Sequence, residues 1–313
     1  MKPFAFVFPG QGSQAVGMLD AWGDHPEVKR TLEEASTALG EDIGALIKGG
    51  PKEQLDLTTN TQPVMLTAGI ACYRAWIAET GFVPVAAAGH SLGEYTALVA
   101  AGALSLQDAL PLVRFRAQAM QEAVPVGAGA MYAILGLDGE AVRAGCQEAA
   151  AASGEVIEAV NFNDPKQTVI AGSKAGAEKA AELLKAAGAK RALPLPVSAP
   201  FHSSLMKPAA ERLKERLAGV QFAAQAFPVV NNIDVAVTSD AAALRDALYR
   251  QAFGPVRWVE VVQALKARGI GHILECGPGK VLAGMVKRID GELQSATILD
   301  PASLVEAKNL LQS

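Results

Sequence analysis

Gly89-His90-Ser91-Leu92-Gly93 is the segment of this 313-residue chain best suited to chemistry. It follows the pattern G-x-S-x-G. It lies between an apolar run at 83–88, read as a strand, and a stretch from Leu92 onward, read as a helix. A nucleophile elbow needs that context. A sharp strand-to-helix turn forces the serine into strained backbone angles and leaves no room for Cβ atoms beside it, which is why glycines bracket it. The Ser91 hydroxyl is then exposed. Free N–H groups at the start of the following helix can stabilise an oxyanion. The plainer account is a glycine-bracketed turn, and the flanking elements favour the elbow.

A serine needs a base to become a good nucleophile. Of the four histidines, His25 sits in a polar stretch beside Asp24 and reads as surface. His90 adjoins Ser91, so its side chain should diverge from the serine at such a turn. His272 falls in an expected strand, where core packing is the bland account. His202 follows the break Val197-Ser198-Ala199-Pro200-Phe201 and precedes a helix, and loops at such breaks often hold catalytic groups. Spacing alone leaves it a candidate. Arg114 and Arg116 are each able to grip a carboxylate through two parallel charge-assisted hydrogen bonds. As i and i+2 on a helix they face different ways, so only one is expected in a site, and a solvated helix face accounts for either. Gly277-Pro278-Gly279-Lys280 lacks G-x-x-x-x-G-K-[ST] and is not read as a phosphate loop.

The elements that must position these groups alternate between strand and helix, which points to an α/β fold. Residues 4–8 read as a buried strand stopped by Pro9-Gly10. Residues 26–48 and 63–76 read as helices. From 126 to 197 the pattern changes. Strands at 130–137, 155–160, 167–171 and 191–197 interleave with helices at 140–152 and 173–187. Asp138 and Ser173 are the expected N-caps, and Gly188 is the expected left-handed end. The order β-α-β-β-α-β is ferredoxin-like. The expectation is an α/β-hydrolase-like large domain with a mostly parallel sheet, residues 1–125 and 198–313, and an inserted ferredoxin-like subdomain, residues 126–197. The Ala- and Lys-rich helices of the insert suggest solvated helices rather than a site. Beyond it, helices are expected at 205–217, 244–252 and 259–268, and strands at 227–231 and 270–275.

Composition narrows the function. Half the residues are hydrophobic and 19% are charged, which suits a globular chain with a sizeable core. The net charge of −4, without a basic stripe, argues against a nucleic-acid partner. Cys72, Cys146 and Cys276 are odd in number and contain no Cys-x-x-Cys pair. They imply neither a disulfide framework nor a metal site and read as small buried hydrophobes. No run approaches the roughly 18 apolar residues of a membrane span. The default expectation is a soluble cytoplasmic protein.

Several motifs, in order along nearly the whole chain, resemble the malonyl-CoA:acyl carrier protein transacylases. They are Pro9-Gly10-Gln11-Gly12-Ser13-Gln14, Gly89-His90-Ser91-Leu92-Gly93-Glu94-Tyr95, Gln121-Glu122-Ala123-Val124-Pro125, Asn161-Phe162-Asn163, Phe201-His202 with Leu205-Met206-Lys207-Pro208, and Glu275-Cys276-Gly277-Pro278-Gly279-Lys280. The resemblance implies Ser91 as acylated nucleophile and His202 as its general base. A backbone carbonyl at Gln251, rather than a carboxylate, would orient that base. The N–H groups of Gln11 and Leu92 would form the oxyanion hole. Arg116 would hold the malonyl carboxylate, with Gln251, Met120, Phe201, Gln62 and Asn161 also in the substrate-binding set. A phenylalanine before the histidine accompanies selection of malonyl over methylmalonyl in related enzymes. Malonyl-CoA and acyl carrier protein are the implied partners. The CoA thioester and the carrier's phosphopantetheine are substrates, and no further cofactor is implied. Because the chain starts at Met1 and carries no ketosynthase-like segment, it is expected to act as a freestanding enzyme of fatty-acid synthesis. Alternatives are a polyketide or malonate-decarboxylase acyltransferase, a serine hydrolase or thioesterase, and a carrier-binding module with a dead site. A basic docking patch at the cleft mouth is expected among Lys190, Arg191 and Lys280.

Overall fold

Phe4–Phe8 forms the first strand, β1, and all five of its residues are apolar and buried. Alternation sends Phe4, Phe6 and Phe8 to one side, against Tyr73 and Trp76. Ala5 and Val7 go to the other, against Trp258 and Val261. A strand without a polar face belongs between two helical layers. The computed structural model, which describes residues 1–197 and 199–313, has that arrangement. The parallel sheet comprises β1, β2 (Ala86–Gly89), β7 (Val229–Val230), β8 (His272–Cys276) and β9 (Gln294–Ile298), in the order β7-β2-β1-β8-β9. A separate antiparallel sheet comprises β3 (Gly129–Leu135), β4 (Ile157–Asp164), β5 (Gln167–Ser173) and β6 (Arg191–Pro194), in the order β4-β5-β3-β6.

Helices α1 (Pro26–Leu39), α2 (Ile43–Gly49), α3 (Lys52–Leu55), α4 (Thr58–Thr80), α5 (Leu92–Ala100) and α6 (Leu106–Glu122) precede the antiparallel sheet. Helices α7 (Gly139–Ser153) and α8 (Lys174–Ala186) alternate with its strands and cover it through Val142, Cys146, Ala180 and Leu184. Helices α9 (Lys207–Ala218), α10 (Ala241–Gln251), α11 (Trp258–Ala267), α12 (Val281–Ile289) and α13 (Pro301–Gln312) follow. The second sheet and its helices run β3-α7-β4-β5-α8-β6, the expected β-α-β-β-α-β order. Asp138 and Ser173 accept the capping hydrogen bonds of α7 and α8. Ser198, at which the expected boundary falls, lies outside the described residues.

Several elements differ from expectation for local reasons. The helix expected over 26–48 is two helices. Gly40 turns left-handed at φ +67°, and Asp42 restarts the chain by accepting from the Ala45 N–H. The strand expected at 83–88 begins only at Ala86, leaving Val83 and Val85 about half exposed ahead of it. The strand expected over 191–197 pairs only to Pro194, and Leu195 and Val197 turn inward instead. The strand expected at 227–231 pairs at two residues, because Asn231 turns to bond the Ala236 carbonyl. His25, expected on the surface, is tucked in. It accepts from the Glu27 N–H at the start of α1, and its Nε2 contacts Glu79. Strand β9 and helix α13 have no counterpart among the expected elements. Among the described residues no helix is long and apolar enough to cross a membrane.

Candidate active site

The chain passes from β2 to α5 over His90 and Ser91 alone. Ser91 sits at φ +53° and ψ −109°, a conformation that costs about 1–3 kcal/mol for a residue with a side chain. A Cβ on Gly89 would lie 1.8 Å from the Gly93 carbonyl carbon, and one on Gly93 would lie 2.0 Å from the Phe8 oxygen. Both glycines are therefore steric requirements of the turn. The Asn232 side chain holds the strained bend. Its Oδ1 accepts the Ser91 N–H at 2.8 Å, and its Nδ2 donates to the Gly89 carbonyl at 2.7 Å.

His202 reaches the same point from the segment before α9. Its own backbone is left-handed at φ +67°. Its Nδ1 lies 2.9 Å from the Gln251 carbonyl oxygen, which can only accept, so the proton is on Nδ1. That leaves Nε2 with its lone pair facing Ser91 Oγ at 2.7 Å. Burial, then the nearby Arg116 cation, lowers the His202 pKa to about 3, so the ring is neutral at pH 7.

Arg116 projects from α6 into the centre of the molecule and is 1% exposed. Its Nη1 donates to Gln62 Oε1 at 2.8 Å. Its Nη2 donates to Gln251 Oε1 at 3.0 Å and to Ser91 Oγ at 3.2 Å. Arg114, two residues earlier, turns away and pairs with Glu41 at 2.7 Å. Gln251, expected in the substrate-binding set, is fully buried and contributes no wall to the cavity beside Ser91. It joins the other groups instead. Its carbonyl holds His202, and its side-chain amide bridges Arg116, the Ser91 carbonyl and Glu94.

The cavity beside Ser91, of about 120 Å³, gathers Gln11, Gln62, Leu92, Arg116, Met120, Asn161, Phe201 and His202. Leu92 is the first residue of α5, so its N–H has no acceptor within the helix. Gln11 is fixed in the turn after β1, where its side chain donates to Thr58 Oγ1. Asn161 Oδ1 is buried without a partner. The antiparallel sheet and the segment after it supply Met131, Val169, Leu195 and Val197 as apolar wall. The antiparallel sheet therefore takes part in the cavity, and none of the residues that line it comes from α7 or α8. His90 does diverge from Ser91: its Nε2 bonds Asn163 Oδ1 at 2.8 Å, and its ring packs on Trp258.

Sequence reasoning missed Asn232 and Glu94. Glu94 directly follows the G-x-S-x-G segment, and its residue type alone implies no role. Asn232 lies 141 positions from the serine that it holds, and no local pattern marks it.

Together, a strained serine, a neutral histidine bonded to it and a buried guanidinium, gathered beyond the carboxyl end of β2, can form and break an acyl ester on a carboxylate-bearing substrate. The sequence profile described as "Acyl transferase domain" matches residues 5–297. The chain belongs to that acyl transferase family. Within it, the chain is 52% identical over 308 residues to the malonyl CoA-acyl carrier protein transacylase of Salmonella typhimurium, covering 98% of this chain and 99% of the relative. Among solved structures, the acyl-carrier-protein S-malonyltransferase of Burkholderia pseudomallei is 68% identical with a TM-score of 0.96, covering 99% of this chain and 100% of that one. A malonyl-transacylase solved in complex with its type II polyketide-synthase acyl-carrier protein is 50% identical with a TM-score of 0.96, covering 98% and 100%.

Proposed function

We propose that this protein moves a malonyl group from malonyl-CoA to the phosphopantetheine thiol of acyl carrier protein through an ester on Ser91. One observation carries the reading. Ser91 Oγ lies 2.7 Å from the His202 lone pair and 3.2 Å from Arg116 Nη2, so nucleophile, base and carboxylate anchor converge. As Oγ attacks the thioester carbonyl, His202 Nε2 takes its proton. The developing oxyanion turns to the N–H groups of Gln11 and Leu92. The intermediate collapses, the C–S bond breaks, and the CoA thiolate recovers the proton from His202. Arg116, kept in place by Gln62, holds the free malonyl carboxylate. The carrier thiol then gives its proton to His202 and attacks the ester, and Ser91 regains its proton. This is a ping-pong cycle. It uses two substrates and no further cofactor.

Transfer rather than hydrolysis requires that water be kept out, and Met120, Met131, Val169, Leu195, Val197 and Phe201 give the cavity apolar walls for that purpose. Met120 and Phe201 line the cavity, and in this reading they are the residues that favour malonyl over methylmalonyl. In this reading residues 1–125 and 198–313 form the catalytic unit, and residues 126–197 close over it. Fatty-acid chain elongation is the pathway served. The solved complex of a relative with a type II polyketide carrier protein makes that carrier class a second recipient to assay. Three free, buried cysteines suit a reducing compartment and support a cytoplasmic location. A serine hydrolase is disfavoured because a carbonyl, not a carboxylate, orients His202.

Intact-mass measurement tests the reading. Protein mixed with malonyl-CoA should gain one malonyl group, retained on the Ser91 peptide and discharged by added holo carrier protein. Absence of the adduct, or an adduct that water removes as fast as the carrier, would refute it.

A further inference from the structure

Arg116 is a buried cation without an ion-pair partner: among the described residues no carboxylate lies within ion-pair distance of it, and its acceptors are Gln62, Gln251 and Ser91. An isolated buried charge is costly. The compensating group is one residue further away. Glu94, 2% exposed, accepts from Gln251 Nε2 and from the Asn232 N–H, each at 2.9 Å. The Gln251 amide thus lies between cation and anion, its oxygen on the guanidinium and its nitrogen on the carboxylate. Arg116 only donates, so the oxygen end of that amide has to face it. The dipole is aligned to carry charge compensation from Glu94 to Arg116.

We propose that Glu94 is the resting counter-anion of Arg116, and that it takes up one proton from solvent when the malonyl carboxylate binds the guanidinium. This rests on the reading above that Arg116 receives that carboxylate. With substrate bound, two carboxylates share one buried cation, and like charges in one desolvated site cannot both remain ionised cheaply. The substrate carboxylate contacts Arg116 directly, whereas Glu94 acts through Gln251, so Glu94 is the one that protonates. The proton comes from bulk buffer, no bond other than its O–H forms, and malonyl release returns it. Glu94 is poised for this, because burial pushes its pKa up to about 7. The charged or titratable groups acting on it are Arg116 from α6, which favours the carboxylate, and Asp234 after β7, which opposes it. Tyr95, its chain neighbour, has its pKa pushed up to about 12 by burial and stays neutral. Glu94 is therefore a positioning residue that tunes the site for an anionic acyl group without touching it.

The experiment is calorimetric titration of Ser91→Ala protein with malonyl-CoA and with acetyl-CoA, in buffers of different ionisation enthalpy near pH 7. The expected result is uptake of up to one more proton for malonyl-CoA than for acetyl-CoA. The excess should shrink well below pH 7, where Glu94 already carries the proton, and disappear in Ser91→Ala/Glu94→Gln, which keeps the acceptor and removes the charge. Equal uptake for both ligands in Ser91→Ala overturns the inference while leaving the malonyl reading intact. So does an excess that survives Glu94→Gln. Malonyl-CoA binding that is indifferent to Arg116→Ala overturns the malonyl reading, and the inference falls with it.

Discussion

Ser91, His202 and Arg116 act on one another before any substrate arrives. The Arg116 cation adds to burial in lowering the His202 pKa to about 3, against a usual value of ~6.5. His202 is therefore unprotonated through the mildly acidic range. We expect the acid limb of kcat/KM for Ser91 malonylation to lie well below pH 6.5. The limb in kcat should lie at higher pH, because a bound malonyl carboxylate offsets the cation. Stopped-flow pH profiles check both, and a kcat/KM limb at pH 6.5 or above counts against this electrostatic account. The same shift bears on stability. A histidine depressed in the folded state contributes stability that is fully present above ~6.5 and is lost as pH falls toward 3. Arg116→Ala should lower kcat/KM for malonyl-CoA by roughly two to three orders of magnitude, the scale of losing a desolvated charge-assisted pair. Its effect on acetyl-CoA should be far smaller. Parallel kinetics with the two thioesters decide, and equal losses would remove Arg116 from the role of carboxylate anchor.

At the scale of elements, the site depends on how closely β2, β1 and α5 approach. Gly93 lets α5 press against the end of β1, and Gly89 lets β2 press against α5. Asn232, just beyond the short edge strand β7, then locks the bend from the side. The shortness of β7 serves this purpose: pairing stops at Val230, Asn231 turns away to bond the Ala236 carbonyl, and Asn232 is released to reach the elbow. Gly89→Ala should destabilise the protein by about 3 kcal/mol or more, since its Cβ would meet backbone atoms that no side-chain rotation can move. Denaturant titration measures this, and a loss below about 1 kcal/mol would mean that the helix shifts easily.

For the whole molecule, the second sheet changes what the first can do. A serine beyond the carboxyl end of a strand in a lone parallel sheet would be open to water. With β3, β4 and β5 beside it, the cavity at Ser91 is walled by Met131, Asn161 and Val169. The neighbouring groove runs from Gln11 and His90 past Gln167 to Val281 and Met285. Beyond Gln167 it meets a concavity edged by Lys166, Lys190 and Arg288. Arg288 is paired with Asp164 at 2.7 Å, while Lys190 and Lys280 are exposed. Carrier proteins are acidic, so Lys190→Glu should slow transfer from malonyl-Ser91 to the carrier several-fold and make it less salt-dependent, leaving malonylation by malonyl-CoA unchanged. Half-reactions followed separately by mass spectrometry check this. Slowing of both halves alike would place the docking surface elsewhere.

The sequence by itself determined what a few consecutive residues decide. The all-apolar β1, the glycine-bracketed turn at Ser91 and the caps at Asp138 and Ser173 follow from side-chain alternation and local sterics, which act within a short window. The family resemblance implied Ser91, His202 and Arg116, and the fold brings the His202 and Arg116 side chains within hydrogen-bonding distance of the Ser91 hydroxyl. Only the tertiary structure decided that Asn232 braces the turn, that Gln251 lies buried between Arg116 and Glu94 rather than on the cavity wall, and that the antiparallel sheet lines the cavity beside Ser91. These contacts join residues as far apart as 160 positions. A hydrogen bond between such distant groups imposes no periodicity on either stretch of chain. It exists only because the parallel sheet and the helices packed on it bring the two ends together.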